Sequence, residues 1–479
     1  MSFSYQILRV SGEAKMGMRY QPRKRSESRR LWMTAPSQER SSVRYLQSVQ
    51  ALFKQLTQDY SQTLQQLKSH CKATLAAKDE QISLYRQQQR ELYRLTQLSA
   101  QQCASAPLQV APRPGKRVVL KLGRAEESGI PVVLQIGEEG QLPELETTGW
   151  LPRPTQLLAT LDRWQNAYRQ ISLQQPVRLQ APAVQVTNVS YQENWQRCLA
   201  AEKILVAQLN RWLNSGRFRP VREVLLAALA PTDAVRFVLQ TDDMQIRALP
   251  LHQWDWFERY PQAELVLSET AYQERSRPTP SSGKVRILAV LGNSEGLDVQ
   301  RDRTLLSALP NASLTCLVEP TRSQLNEALW EQSWDILFFA GHSTRTAGQQ
   351  KLRLNATEEL ALSELKYGLR KACDRGLQLA IFNACDGLEL IKTLRDDLAV
   401  PSTIIMRHPV SDIVAQTFLK HFLTAFSQGS LLHQAVREAR ERLQGIESQF
   451  PFATWLPVLC QSSSTLPFTW ESLSADSSR

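Results

Sequence analysis

The sequence of 479 residues lacks any run of about 18 consecutive apolar residues, the length that a membrane-spanning helix needs. This absence excludes an integral membrane protein with helical spans. The basic N-terminus is not followed by an apolar segment with a small-residue cleavage site, which argues against a secretory signal. The sequence therefore predicts no membrane partner and a cytoplasmic location.

Cysteines are few, and their spacing excludes two common uses. There are seven, an odd number, with no CxxC pair, at positions 71, 103, 198, 316, 373, 385 and 460. Such scattering argues against a disulfide framework and against a zinc site, and it is typical of a reducing compartment. We expect no metal and no cofactor.

Charge is unevenly distributed along the chain. The formal net charge is +11, and the first 50 residues, with ten Lys/Arg and three Asp/Glu, supply +7 of it. Residues 1–42 are rich in Ser, Arg and Gln and predict a basic, largely disordered arm. Such an arm is either simply solvated or touches nucleic acid or an acidic partner, and nucleic-acid binding is conceivable only through it.

The next segment, residues 43–104, contains no proline and no glycine and has apolar residues at spacings of three and four. This pattern predicts a long amphipathic helix or a helical hairpin. Its apolar face would bind a protein partner, self-associate or pack back on the body. Residues 105–116 contain three prolines and predict a linker.

The remainder predicts an α/β fold. Residues 117–280 form a mixed α/β region, with strands expected at 117–122, 130–136, 235–240, 246–249 and 264–267. From 281 to 470, unbroken apolar strands alternate with helices, a pattern typical of a mostly parallel sheet flanked by helices. Residues 471–479 predict a flexible tail.

Two chemically reactive side chains follow neighbouring predicted strands. His342 comes just after the strand at 336–340, and Cys385 just after the strand at 379–382. The carboxyl ends of parallel strands share one edge, so these residues would lie there together. A thiol needs a nearby imidazole to act as a nucleophile, and the helix expected from Gly387 would lower the thiol pKa further. The alternative is a small buried cysteine and a solvated histidine.

The segments WDILFFAGHS (residues 334–343) and LAIFNACDGL (residues 379–388) resemble the His and Cys motifs of the CHAT family (caspase, HetF associated with TPRs). Further blocks, in the family's order, extend the resemblance over about residues 117–470 and are similar to cyanobacterial members. No TPR array is visible. The resemblance implies a caspase-like sandwich and a cysteine peptidase.

Carried over to this sequence, the resemblance makes Cys385 the nucleophile and His342 its base. The backbone N–H groups of Ser343 and Cys385 would form the oxyanion hole. The family usually has glycine where Ser343 stands.

Four further residues are candidates for the substrate pocket. Asn383 stands two positions before the nucleophile, where related peptidases that cut after Arg or Lys often have an acidic residue, which weakens the case for a basic P1 preference. Asp386 either serves the pocket or caps the next helix. Arg407 and His408 follow the strand at 402–406 and would reach the same edge.

The sequence thus predicts a cysteine endopeptidase that cleaves a protein substrate and is regulated by its N-terminal region or by a partner. The alternative is a catalytically silent scaffold that uses the same fold as a protein-interaction module in a larger assembly.

Overall fold

In the computed structural model, the described residues are 115–172, 191–269, 283–346, 349–384, 387–388 and 400–474, together with a few positions nearer the N-terminus. The chain divides into two compact units, residues 1–111 and 112–479. In the first unit, β1 (Arg9–Val10) and β2 (Glu13–Ala14) form an antiparallel pair. Positions 54, 55, 58, 62, 65, 66 and 69 are helical and exposed. The rest of the predicted arm and long helix lies outside the described residues, as do residues 105–114 of the predicted linker and residues 475–479 of the predicted tail.

The second unit is built on a sheet of eleven described strands. The strands of this unit, including three that form a smaller sheet, are β3 (Lys116–Leu122), β4 (Ile130–Glu138), β5 (Leu145–Leu151), β6 (Val235–Gln240), β7 (Ala263–Ser268), β8 (Val285–Leu291), β9 (Ala312–Val318), β10 (Ile336–Ala340), β11 (Ser343–Thr346), β12 (Gln349–Arg353), β13 (Glu359–Leu360), β14 (Leu379–Asn383), β15 (Ser402–Met406) and β16 (Pro457–Gln461). The large sheet has the order β5-β4-β3-β6-β7-β16-β15-β14-β10-β8-β9, and β11-β12-β13 form the small one.

Helices connect these strands. They are α1 (Thr155–Ser172), α2 (Tyr191–Leu213), α3 (Arg219–Ala228), α4 (Met244–Ala248), α5 (Asp255–Arg259), α6 (Val299–Ser307), α7 (Arg322–Glu331), α8 (Lys366–Asp374), α9 (Asp412–Ser427), α10 (Leu432–Arg442) and α11 (Trp470–Ser474). No helix among the described residues is both long and apolar enough to cross a membrane.

The strands at the centre of the sheet are buried throughout. Every residue of β10, β14 and β15 is buried, as continuous apolar runs require when helices cover both faces. Most neighbouring pairs are parallel, and the antiparallel ones are β3–β4, β4–β5 and β15–β16. The predicted α/β fold with a mostly parallel sheet between helices is confirmed.

One predicted strand is wrong, because residues 246–249 largely belong to helix α4. Asp243 caps this helix: its side chain accepts hydrogen bonds from the N–H groups of Gln245 and Ile246. A four-residue segment with three apolar residues is too short to distinguish a strand from a helical turn, and the cap decides the outcome.

The sheet crosses the predicted boundary at residue 280, because β7 pairs with β16. A buried ion pair with a neighbouring hydrogen bond also connects the N-terminal strands of this sheet to its C-terminal strand, β16. The Arg236 guanidinium on β6 binds the Glu139 carboxylate through two hydrogen bonds of 2.7 and 2.9 Å, and a third runs 2.8 Å to Gln461 on β16. The side chains of Arg236 and Glu139 are only 1% and 5% exposed.

We expect Glu139→Gln to destabilise this unit by about 3 kcal/mol, because it leaves the Arg236 charge buried without a counter-charge. The measurement is the free energy of unfolding in urea. Glu144→Gln is the matched control, since the Glu144 side chain is 57% exposed and lies 3.8 Å from Lys116; it should cost less than about 1 kcal/mol. Equal losses in the two variants would contradict this account.

Candidate functional site

Three parallel strands end together where the candidate histidine lies. In the register of the sheet, Ala340 on β10 is paired with Leu291 on β8 and with Asn383 on β14. His342 follows Ala340 by two residues, as Cys385 follows Asn383 in the sequence. This edge is the one at which ligands of open parallel sheets bind.

The loop after β8 holds His342 in place. The His342 N–H donates to the Asn293 carbonyl oxygen at 3.3 Å, and Nε2 lies 2.7 Å from the Glu295 carbonyl oxygen. A carbonyl can only accept, so Nε2 carries the proton and the lone pair of the neutral ring is on Nδ1. The side chain is 4% exposed, and its Nδ1 has no hydrogen-bond partner among the described residues. The ring is therefore oriented by one nitrogen, while the other has no hydrogen-bond partner among the described residues.

Backbone contacts fix the same residue from its other side. The Arg353 N–H, at the end of β12, donates to the His342 carbonyl oxygen at 3.0 Å, and the Asn293 N–H donates to the Arg353 carbonyl oxygen at 3.0 Å. The two backbone segments approach so closely that a Cβ on Gly292 would lie 2.4 Å from the Arg353 carbonyl oxygen. Glycine at 292 is what allows the loop after β8 to reach the ring.

Ser343 begins β11, where it is paired with Leu352 and is fully buried. This places its backbone next to His342. Its participation in an oxyanion hole stays a prediction.

Cys385 and Asp386 lie outside the described residues, but the positions on both sides of them are described. Asn383 is 1% exposed at the end of β14. At Gly387, a Cβ would lie 2.5 Å from Ile405 Cβ and 2.9 Å from the Met406 carbonyl oxygen. The chain therefore runs against β15 again two residues after the candidate nucleophile. Only a glycine permits this approach.

The structure places Arg407 and His408 in the interior. Arg407 is 3% exposed, and its Nη1 donates to the carbonyl oxygens of Arg247 and Leu249. The His408 ring packs edge-on against Trp164, with the centroids 5.2 Å apart. Burial lowers the pKa of His408 well below its usual value, so the ring is neutral at pH 7. These are contacts of interior residues, and a role in the substrate pocket stays a prediction.

Sequence reasoning missed Glu295, because it contributes a backbone carbonyl, and any residue type has one. The only signal was the position of residues 292–296 (GNSEG) directly after a buried strand. Asn293, also in this loop, is 6% exposed, and its Oδ1 has no hydrogen-bond partner among the described residues.

The geometry defines an α/β protein with a histidine poised at the carboxyl edge of its parallel strands. The family model of the CHAT domain matches residues 207–473, more than half of the chain. The chain therefore belongs to the CHAT family, as its motifs predicted.

Solved structures similar to this chain include two complexes. The Saccharomyces cerevisiae separase–securin complex matches 74% of this chain at 12% identity with a TM-score of 0.36, and this chain spans only 30% of that one. The complex of the Porphyromonas gingivalis RgpB pro- and mature domains matches 65% of this chain and 78% of that one, at 10% identity and a TM-score of 0.34. No curated protein sequence matches the chain.

Proposed function

We propose that this protein is a cysteine endopeptidase that cleaves a protein substrate through a dyad of Cys385 and His342. The observation that carries the proposal is the His342 ring, whose Nε2–H is held by the Glu295 carbonyl while Nδ1 is left without a described partner. A ring oriented in this way is prepared to accept a proton on Nδ1.

The chemistry follows from that tautomer. The Cys385 thiol gives its proton to His342 Nδ1, and the thiolate attacks the carbonyl carbon of the scissile peptide bond. The tetrahedral intermediate collapses as Nδ1–H protonates the leaving amine, which leaves a thioester on Cys385. Water then attacks the thioester, its proton passes to Nδ1, and the acid product leaves as the thiol is restored. No metal or cofactor takes part in these steps.

Two features support the charged intermediates. The Glu295 carbonyl dipole favours the imidazolium that forms at each step, since it accepts a hydrogen bond from Nε2–H. Backbone N–H groups of Ser343 and Cys385 are the proposed donors to the oxyanion. The predicted regulation by the N-terminal region or by a protein partner is part of the same proposal.

The test is labelling of the full chain by a peptidyl acyloxymethyl ketone at pH 7.5, with the modified cysteine mapped by mass spectrometry. We expect Cys385 to be labelled selectively. Desolvation raises the pKa of Cys198 and of Cys460 to about 12, and it also raises that of Cys316, so these thiols are poor nucleophiles at this pH. Cys385→Ala should abolish labelling, and Cys316→Ala, the matched control, should leave it unchanged.

Labelling of Cys385 no faster than that of Cys316 would overturn the proposal for the free chain. That result would favour the alternative, a CHAT fold that serves as a protein-interaction module without catalysis.

A further inference from the structure

Strand β9 forms one end of the large sheet and has a neighbouring strand on one side only. It pairs in parallel with β8, and no other described strand pairs with it. Its seven residues, ASLTCLV, include no charged side chain and no proline. All of them are half-buried or exposed, and Val318 is 52% exposed. The second side of β9 is therefore an open edge.

The hydrogen bonds at the two ends of β9 show which residues face this edge. The Val285 N–H donates to the Asn311 carbonyl oxygen at 2.8 Å, and the Glu319 N–H donates to the Leu291 carbonyl oxygen at 2.7 Å. In a parallel ladder every second residue of a strand bonds to the neighbour, so positions 311, 313, 315, 317 and 319 face β8. The backbone groups that point outward belong to Ala312, Leu314, Cys316 and Val318. None of these groups has a hydrogen-bond partner among the described residues.

The opposite end of the sheet is protected in ways that β9 is not. On β5, the outward Trp150 N–H donates to the Arg217 carbonyl oxygen at 3.3 Å, and Glu146 places a charge on the strand. Helix α3 packs so closely on β5 that a Cβ on Gly149 would lie 2.6 Å from Val221 Cγ2. Native sheets commonly protect an edge with a covering segment, a charge or a proline, because an open edge pairs with other strands. The β9 edge keeps its full capacity to pair.

The open edge has fixed limits on both sides of Thr315. Pro310 and Pro320 lie at equal distances from it in the sequence, and proline has no N–H to donate. Asn311 and Glu319, again at equal distances from Thr315, have left-handed φ values of 51° and 44°, so the extended backbone ends at both. A strand that pairs with every outward group must therefore be centred on Thr315.

A second copy of β9 meets this requirement when it runs antiparallel to the first, with a twofold axis at Thr315. Leu314 then lies opposite Cys316 of the second copy, and Ala312 lies opposite Val318. These are the residues whose backbone groups point outward, so each outward N–H finds a carbonyl oxygen across the axis. Thr315 faces its own counterpart, and threonine pairs are favourable across antiparallel strands.

The charges at the ends of β9 also suit a second copy. In the same register Glu319 lies opposite Asn311, which is an uncharged amide, and the strand between these two residues carries no charge. Like charges that face each other across a strand pair are unfavourable, and this arrangement brings none together. An identical strand therefore satisfies the edge in both hydrogen bonding and charge.

We propose that β9 is the surface through which two copies of this chain associate. The two β9 strands pair antiparallel about a twofold axis at Thr315, and the two large sheets become one continuous sheet. The proposal holds whether or not the site at His342 is catalytic, because it rests on the edge of the sheet alone.

The first test is the mass of the full chain in solution, measured by analytical ultracentrifugation over a range of micromolar concentrations. We expect the unaltered chain to sediment with twice the mass of one chain. Thr315→Lys places two ammonium groups against each other at the axis and should raise the dissociation constant of the dimer at least about tenfold. Thr148→Lys is the matched control, because Thr148 is an exposed threonine on the other edge strand, β5; this variant should remain a dimer.

The second test fixes the register and holds even if Thr315→Lys fails to fold. In the proposed dimer the Cα atoms of the two Thr315 residues are about 4.5 Å apart, within the range of a disulfide, so Thr315→Cys should form a covalent dimer on mild oxidation. The Cα atoms of the two Ser313 residues are separated by about 13 Å along the strands. Ser313→Cys is therefore the matched control and should remain uncrosslinked.

Three outcomes would overturn the proposal. One is an unaltered chain that is monomeric at every concentration, which would leave the edge to a strand of a different protein. Another is a dimer that Thr315→Lys does not weaken, because the two copies would then associate through a different surface. The third is equal cross-linking of Thr315→Cys and Ser313→Cys, which would indicate random collisions between chains.

Discussion

Replacing His342 by glutamine is expected to slow the labelling of Cys385, and any peptide cleavage, by about 10²- to 10⁴-fold at pH 7, the usual contribution of a positioned general base. Glutamine is the informative replacement because its amide N–H can still donate to the Glu295 carbonyl where His342 Nε2 does now. The variant thus keeps the orienting hydrogen bond and loses only the basic nitrogen.

The pH profile separates loss of the base from a damaged fold. In the unaltered chain the labelling rate should level off near neutrality. In His342→Gln the labelling rate should rise until the thiol ionises at its ordinary pKa, near 8.5. The difference in labelling rate between the variant and the unaltered chain should therefore narrow at pH 9.5. His421→Gln on α9 is the control and should behave like the unaltered chain. A difference in labelling rate that is the same at every pH would contradict a proton-transfer role for His342.

The second large effect is acid lability of the folded unit. His408 and His433 are buried and His252 is half-buried, and desolvation lowers the pKa of all three, that of His433 to about 3. In the unfolded chain each has a pKa near 6.5. Well above pH 6.5 neither state binds these protons, so these three groups do not lower the stability there. Below pH 6.5 only the unfolded chain binds them, so the stability falls as the pH falls.

The magnitude follows from proton linkage. Each histidine removes about 1.4 kcal/mol per pH unit below pH 6.5, and three together remove about 4 kcal/mol per pH unit. The contribution of His433 extends down to about pH 3. Glu202 and Glu441 act in the opposite direction, because desolvation raises the pKa of each, and they reduce the slope as the pH approaches their range.

Urea unfolding at pH 7.5, 6.5 and 5.5 measures this slope. At pH 5.5 we expect nearly three protons to be taken up on unfolding, and His433→Gln should lower that number by about one. An uptake below one proton in the unaltered chain would mean that these rings are protonated in the folded state.

The central strands could be predicted because their apolar sequences indicate a buried environment. Continuous apolar runs such as residues 336–340 and 379–382 fit only strands buried on both faces, and the structure has strands at those positions. β5 was missed because its residues alternate between partly buried and exposed positions and few are apolar. β11 and β12 were missed for a similar reason: they are short, polar and defined by pairing with each other.

The position of His342 at the sheet edge could also be predicted, because strand ends fix it. The tautomer could not, since it depends on a backbone carbonyl from a loop 47 residues earlier. The interior placement of Arg407 and His408 was equally hidden. Residues that follow a parallel strand reach its edge, but their side chains turn toward whatever is packed there, and here these neighbours are α4 and α1.

The continuity of the large sheet matters for anyone who expresses a shorter piece of this protein. The span matched by the family model begins at residue 207, inside α2, and leaves out β3, β4, β5 and α1. A fragment that begins there would lack β3, the strand that pairs with β6, although every residue of β6 is buried. It would also lack Glu139, the ion-pair partner of Arg236. The exposed edge of β6 could then pair with strands of other chains and cause aggregation. The span that the family model matches is thus shorter than the part of this chain that holds the complete sheet.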